Sequence, residues 1–443
     1  MFMDGLLYST VADNFAHAKG SFWHLYNSDT LHSNFHEQPP LYFWIMAGFY
    51  KIFGDSIYVE RFYDFITLVL SAFLIHKNWQ VVASEKLKKY SFLPIIFWIT
   101  IPVCFWAYAN NMLEISVTVF VLSSSFFLFK YYFKQSQKQY LIIAGFFLIA
   151  GFLTKGFVAL FPIAIPFFYF IVFHKIALRK WLTDSLLLSI IPIFVIAIIF
   201  LFENSRTGFT TYLTQRVFHS ISSVSTVNNR FHILGRMSME LLPIILLNFL
   251  ILTIRFLAKR KKSELYFDRK FLFLLLIALS ASLPLMITKE QRGFYLVNSF
   301  PYYAITIVWL FIPMWQKIVD YLSERNWAKK WGHIIGISLI VIGLSYSFLQ
   351  IGKYNRDEKI LKDIEVLQPI LKNKNIISVN KELWKRWNLH SYFMRFMNIS
   401  LDRASKHDYF LTKKNIVLDD KAYTKVKIRT MAFDLYKKND VEK

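Results

Sequence analysis

Cysteine is almost missing from this 443-residue chain, Cys104 being the only one. An intrachain disulfide is therefore excluded, and any part facing an oxidising compartment must fold without one. Acidic residues are also scarce, 29 Asp and Glu against 52 Lys and Arg. Charge of either sign makes up only 18% of the chain, where soluble domains carry roughly 25%. Together with 55% hydrophobic residues, 19% aromatic residues and a mean hydropathy of +0.37, that excludes an ordinary soluble enzyme. No internal repeat is visible.

What is present is a succession of apolar runs, at about 62–80, 91–108, 115–133, 139–153, 156–173, 185–203, 240–257, 271–287, 297–315 and 333–350. They predict a bundle of about ten membrane helices. Charge is spread unevenly between them. Segments 76–90, 130–139, 174–184, 255–270 and 316–332 carry 21 Lys and Arg in 69 residues, and the alternate segments 109–114, 154–156, 204–236 and 288–297 carry 7 in 52. By the positive-inside rule the first set is cytoplasmic, and the second set, with residues 1–61 and the C-terminal tail, faces outward. The net charge of +23 then reflects basic cytoplasmic loops, and no nucleic-acid partner is expected.

The first outward region, 1–61, is organised around His36-Glu37-Gln38-Pro39-Pro40-Leu41. The double proline holds the chain extended, and an aromatic helix is predicted over 41–53, stopped by Gly54. At about 20 Å it is too short to cross a bilayer core of roughly 30 Å, so it is expected to lie in the interface. A second, amphipathic helix is predicted over 6–18, with Leu7, Val11, Phe15 and Ala18 on one face. Placing 1–61 outside calls for one more membrane helix upstream of Met1, which is expected but not in this sequence. Residues 62–350 are read as the membrane bundle. Residues 351–443 carry 21 basic and 12 acidic residues and no spanning run. Strands at 376–379 and 408–412 and a helix at 382–397 predict a small α/β domain there. The expected fold is thus an all-α polytopic membrane protein, with interfacial helices in its first outward loop and a small C-terminal α/β domain.

The outward segments gather Asp4, Glu37, Arg61, Glu114, Lys155 and Arg292. Carboxylates and cations at one membrane face suit transfer from a lipid-linked phosphate donor. Cations hold the departing phosphate, and a carboxylate takes the proton of an attacking hydroxyl. The plain alternative is that each is a helix-end charge that snorkels or pairs with a neighbour, with Glu60 and Arg61 as interfacial anchors. No metal is required. If a divalent ion is held, His36 and Glu37, with His24 and His32 nearby in sequence, are the place for it, although their spacing fits no standard site. Glycines 151 and 156 flank Lys155 and are expected to admit a bulky partner. The Ser- and Asn-rich segment 204–236 reads as a mobile loop. A transporter or lipid flippase is the rival reading. It would place ionisable groups at mid-span and often show inverted repeats, whereas here they gather in the outward turns.

The ordered set Asp4-Gly5-x-x-Tyr8, Glu37-Gln38-Pro39-Pro40-Leu41, Gly54-Asp55 with Arg61, Thr154-Lys155-Gly156 and Gln291-Arg292-Gly293-Phe294-Tyr295 carries a resemblance. Over about residues 1–350 it resembles the dolichyl-phosphate-mannose protein mannosyltransferase and aminoarabinose transferase superfamily, membrane glycosyltransferases of the GT-C fold. The resemblance implies a polyprenyl-phosphate-linked sugar donor and transfer with inversion at the anomeric carbon. It further implies a lipid A, envelope glycan or protein acceptor at the outer face of the cytoplasmic membrane. It assigns Asp4 as catalytic base or acceptor-positioning group, with Glu37 and Glu114 as further acidic positions. By the same resemblance Lys155 would contact the donor phosphate and Arg61 would pack under the first loop, while the residues themselves offer Arg292 and Arg61 as further phosphate-binding cations. The chain departs from the pattern in three respects. Gly5 stands where a second carboxylate is frequent, Gln38 stands where aminoarabinose transferases carry lysine, and no helix precedes Asp4.

Overall fold

The computed structural model describes residues 2–259, 265–354, 356–404, 406–418 and 420–439, so residues 260–264 of the basic segment 255–270 lie outside the described residues. In chain order the helices begin with α1 (Met3–Ala16), α2 (Leu41–Phe53), α3 (Ile57–Val82), α4 (Phe92–Ile99), α5 (Pro102–Tyr108) and α6 (Leu113–Phe133). Next come α7 (Gln139–Lys155), α8 (Ile165–Phe173), α9 (Leu178–Leu201), α10 (Glu203–Thr211), α11 (His219–Ser222) and α12 (His232–Lys259). The last are α13 (Arg269–Ser282), α14 (Phe300–Ser323), α15 (Asn326–Leu349), α16 (Glu358–Leu371), α17 (Lys381–Trp384) and α18 (Trp387–Met397). Strands β1 (Ile376–Val379), β2 (Ser400–Asp402), β3 (Tyr409–Lys413), β4 (Tyr423–Lys425) and β5 (Phe433–Lys438) complete the chain. Two compact units result, one of Met1–His36, Phe43–Glu60 and Leu339–Lys443, the other of Glu37–Tyr42 and Arg61–Ser338.

Among the described residues eight helices are long and apolar enough to cross a membrane: α3, α6, α7 with the turn after it, α9, α12, α13 with the turn after it, α14 and α15. The expected run at 91–108 is broken, because α4 and α5 meet at 81°. Pro102 opens α5, and Glu240 of α12 accepts the Val103 N–H at 3.0 Å, so the freed amide at the break is satisfied inside the protein. The expected run at 156–173 supplies only a short apolar helix, Phe161–Phe173. Pro162 and Pro166 confine its start to a 3₁₀ turn followed by α8. α15 has no buried residue, as an apolar span bathed in lipid would have none.

The other unit is built on a five-stranded sheet of order β2-β1-β3-β5-β4, parallel at β2-β1-β3 and antiparallel at β3-β5-β4. β1 occupies the expected residues, whereas the helix expected over 382–397 is interrupted between α17 and α18. Its core joins Ile364, Leu367, Leu383, Leu389, Phe393, Leu401, Leu411 and Leu435 to Leu6 of α1. α1 is therefore not the one-faced helix expected: every residue from Gly5 to Asn14 is buried. Asn14 donates to the Tyr26 and Asn27 carbonyls, at 3.1 and 2.9 Å, which ties the following loop to the helix.

Candidate active site

Within the membrane unit, α6 and α7 pack as an antiparallel pair. The N-terminus of α6 therefore lies beside the C-terminus of α7. Glu114 stands in the first turn of α6 and Lys155 in the last turn of α7, each where the helix dipole favours its charge. They meet as an ion pair, Lys155 Nζ on Glu114 Oε1, with the Glu114 side chain 0% and the Lys155 side chain 9% exposed. Glu114 Oε2 is buried and accepts no hydrogen bond among the described residues. Lys155 Nζ also lies 5.0 Å from the ring centre of Tyr295 and 5.8 Å from that of Phe294. Phe294 in turn stacks on Trp106 of α5, 5.7 Å between centres.

The glycines around Lys155 have a different use from the one expected. They admit neighbours from within the protein. A Cβ on Gly151 would meet the Ala159 Cβ at 2.9 Å, and one on Gly156, at φ +73°, would meet the Tyr212 hydroxyl at 2.0 Å. Only glycine lets the chain turn left-handed under that tyrosine.

The segment 204–236, expected to be mobile, is largely helical. α10 runs into a π-helical stretch, Tyr212–Phe218, and then α11. It is fastened to the 288–292 turn. Arg216 Nη2 pairs with Glu290 Oε1 at 2.6 Å, and the Ser220 hydroxyl donates to Glu290 Oε2 at 2.6 Å. Gln291, nearly fully buried, accepts the Ile233 N–H at 2.8 Å and donates to the Arg230 and Thr288 carbonyls at 2.8 and 2.9 Å. Burial pushes the Glu290 carboxyl up, but the Ser220 hydroxyl and Arg216 outweigh it and hold it below the ordinary value. Burial opposes the charge of Arg216, but Glu290, then Tyr295 and Glu37, outweigh it and keep the guanidinium charged. Arg216 thus stands in the electrostatic field of two carboxylates, one of them Glu37. Sequence reasoning missed it. The available signal was the four-residue spacing Tyr212, Arg216, Ser220, which marks one face of a helix.

Other expected site residues are placed as follows. Arg61 donates to the Ala109 carbonyl and lies 3.8 Å from Asp64, so it braces the turn before α6. Arg292 is exposed in the turn that begins Gly293–Leu296, and Glu37 is half-buried just before α2. Asp4 lies half-buried in the first turn of α1, in the other unit. Glu60, expected as an interfacial anchor, is buried instead and accepts the Tyr50 hydroxyl at 2.7 Å. His24 Nδ1 and His36 Nε2 are 3.3 Å apart, and burial followed by His24 holds His36 down at about 4. His36 is therefore a neutral imidazole at pH 7. Among the described residues the one group of three with metal-ligand spacing is Asp13, His17 and Asp55, where Arg395 already pairs with Asp13 at 3.1 Å.

Residues 37–202 match the family model described as dolichyl-phosphate-mannose-protein mannosyltransferase. That span contains Glu37, Arg61, Glu114 and Lys155. The crystal structure of ArnT from Cupriavidus metallidurans bound to undecaprenyl phosphate is similar, with TM-score 0.54 and 16% identity over 89% of this chain and 70% of that one. The apo structure of the same protein is similar at TM-score 0.51 and 14% identity, with the same coverage. No curated protein sequence matches the chain. The chain therefore has the GT-C fold with a small C-terminal sheet domain, and its residues 37–202 match the mannosyltransferase family model.

Proposed function

We propose that this protein transfers a sugar from a polyprenyl-phosphate donor to an acceptor at the outer face of a cell's cytoplasmic membrane. The observation that carries the reading is the buried Lys155–Glu114 pair under Tyr295, inside the segment that matches the mannosyltransferase model. The match in fold to ArnT bound to undecaprenyl phosphate supports the lipid class.

In the reaction the acceptor oxygen attacks the anomeric carbon from the face opposite the phosphate. The new C–O bond forms as the old one breaks, and the configuration inverts. The polyprenyl phosphate leaves with the bonding pair, and its growing charge is met by Lys155, with Arg216, Arg292 and Arg61 as further cations. A carboxylate takes the acceptor's proton. Asp4 has that role by resemblance, with Glu37 and Glu114 as supporting acids. The Lys155 ammonium carries three donor hydrogens, so it can keep its pair with the buried Glu114 while donating to a phosphate oxygen. No metal is needed for this displacement. Lipid A, another envelope glycan or a protein is the acceptor class.

The test uses membranes from cells with and without the gene. Mass spectrometry reads their lipid A, glycans and proteins, and chromatography reads undecaprenyl phosphate released from its sugar-linked form. A glycosyl mass increment and lipid release that both depend on the gene and on Lys155 support transfer. Unchanged glycans, with a lipid-linked precursor trapped on one membrane face, would establish a transporter instead.

A further inference from the structure

In the unit that holds α1 and the sheet, one arginine ties three separate parts of the chain together. Arg395 lies on α18, its side chain 3% exposed. Nη1 is 3.1 Å from Asp13 Oδ1 near the end of α1, and Nη2 is 3.4 Å from Glu60 Oε1 at the start of α3. Nη2 also donates to the Asp55 carbonyl at 2.8 Å, in the turn between α2 and α3. The guanidinium lies 4.7 Å above the Tyr50 ring, and the Tyr50 hydroxyl donates to the same Glu60. Asp13 is flanked on its other side by His17, whose Nε2 lies 3.3 Å from Asp55. A planar, permanently charged fork suits this task, since lysine could reach only part of it.

The attachment of α1 to the sheet is extensive beyond this point. Leu6 enters the sheet core, and the Thr10 hydroxyl reaches the Ser391 carbonyl at 3.3 Å. In the loop after α1, the Asp29 N–H donates to the Ser400 hydroxyl at 3.1 Å, and the Thr30 hydroxyl donates to the Leu401 carbonyl at 2.6 Å. The N-terminal helix thus folds as a layer of the C-terminal domain. The sheet domain thereby acquires a structural task, holding α1 in place.

We infer that the C-terminal domain is the template that sets α1, and that Arg395 is a positioning residue which, through Asp13, fixes the helix that presents Asp4. This rests on the reading above that Asp4 takes the acceptor's proton. A base displaced by about 1 Å can lose on the order of 100-fold in rate while donor binding by other residues persists.

The experiment uses the full chain in membranes. It measures release of undecaprenyl phosphate from its sugar-linked form at saturating donor, divided by the number of sites that bind undecaprenyl phosphate. This division removes any loss of folded protein. Asp13→Asn, which keeps shape and leaves Arg395 its bonds to Glu60 and the Asp55 carbonyl, is expected to cut turnover per site about 100-fold. The half-saturating donor concentration should stay unchanged. Arg395→Met should do the same, and Arg395→Lys should recover part of the rate. Because Arg395→Met risks misfolding, Asp13→Asn carries the decision. Wild-type turnover per site in Asp13→Asn, beside an inactive Asp4→Asn, overturns this inference alone. A joint loss of donor affinity and turnover also overturns it, since that marks a general structural role. Wild-type turnover in Asp4→Asn overturns both this inference and the assignment of Asp4.

Discussion

Neutralising the Lys155–Glu114 pair one member at a time, and then both, tests how the site is held. Lys155→Met leaves the Glu114 carboxylate, fully buried, without its cation. Breaking a buried pair this way costs about 3–5 kcal/mol, and losing the cation over the Tyr295 ring adds about 1 kcal/mol. Glu114→Gln is milder, because Lys155 keeps 9% exposure and both aromatic rings. It is expected to cost about 2 kcal/mol. In the double variant no charge is left behind, so its stability should return to within about 1 kcal/mol of the wild type, giving a coupling of several kcal/mol between the sites. Activity should behave differently. Both variants lacking Lys155 should fail to retain the lipid phosphate, however stable they are. The assay is denaturant unfolding in lipid nanodiscs followed by tryptophan fluorescence, beside binding of undecaprenyl phosphate. If the double variant is as unstable as Lys155→Met, the pair is not an isolated buried charge couple. If Lys155→Met binds the lipid normally, the phosphate contact lies elsewhere.

Two further expectations concern the neighbourhood of that pair. The Glu290 carboxyl is held below its ordinary value, so its pairing with Arg216 is complete at neutral pH and is lost only as pH falls through that lowered value. Protection of the 212–222 amides, taken relative to their intrinsic exchange rate at each pH, should therefore fall only in acid. Glu290→Gln should show the lowered protection at neutral pH, and unchanged protection in that variant would refute the fastening. Gly156→Ala places a methyl group 2.0 Å from the Tyr212 hydroxyl in a left-handed turn. The backbone conformation alone costs about 1–3 kcal/mol, and the clash adds more. Adding Tyr212→Phe should restore the clash part but not the turn part, as read by thermal unfolding. No recovery would mean that Tyr212 does not press on Gly156.

Much of this architecture was open to sequence reasoning because membrane insertion imposes a coarse rule on composition. Runs of apolar residues must be long, and loops must sort by charge, so the bundle and the helices α2 and α3 could be read directly from the sequence. The dipole logic that puts Glu114 and Lys155 at helix ends was likewise available, since both lie at the edges of apolar runs. Segment 204–236 was misread because its Ser and Asn content resembles a loop. Its order comes from Glu290 and Gln291, which are more than 50 residues away in sequence. The break between α4 and α5 depends in the same way on Glu240, a residue from another helix.

The sequence by itself determined the membrane class, the short apolar helix α2 and the ionisable residues that stand at the ends of the apolar runs, because hydropathy and charge act locally along the chain. Only the tertiary structure decided which of those residues are neighbours. It gave Lys155 to Glu114, Arg216 to Glu290, and Arg395 to Asp13 and Glu60. Such pairings depend on how helices separated by tens or hundreds of residues stack, and no local pattern carries that information.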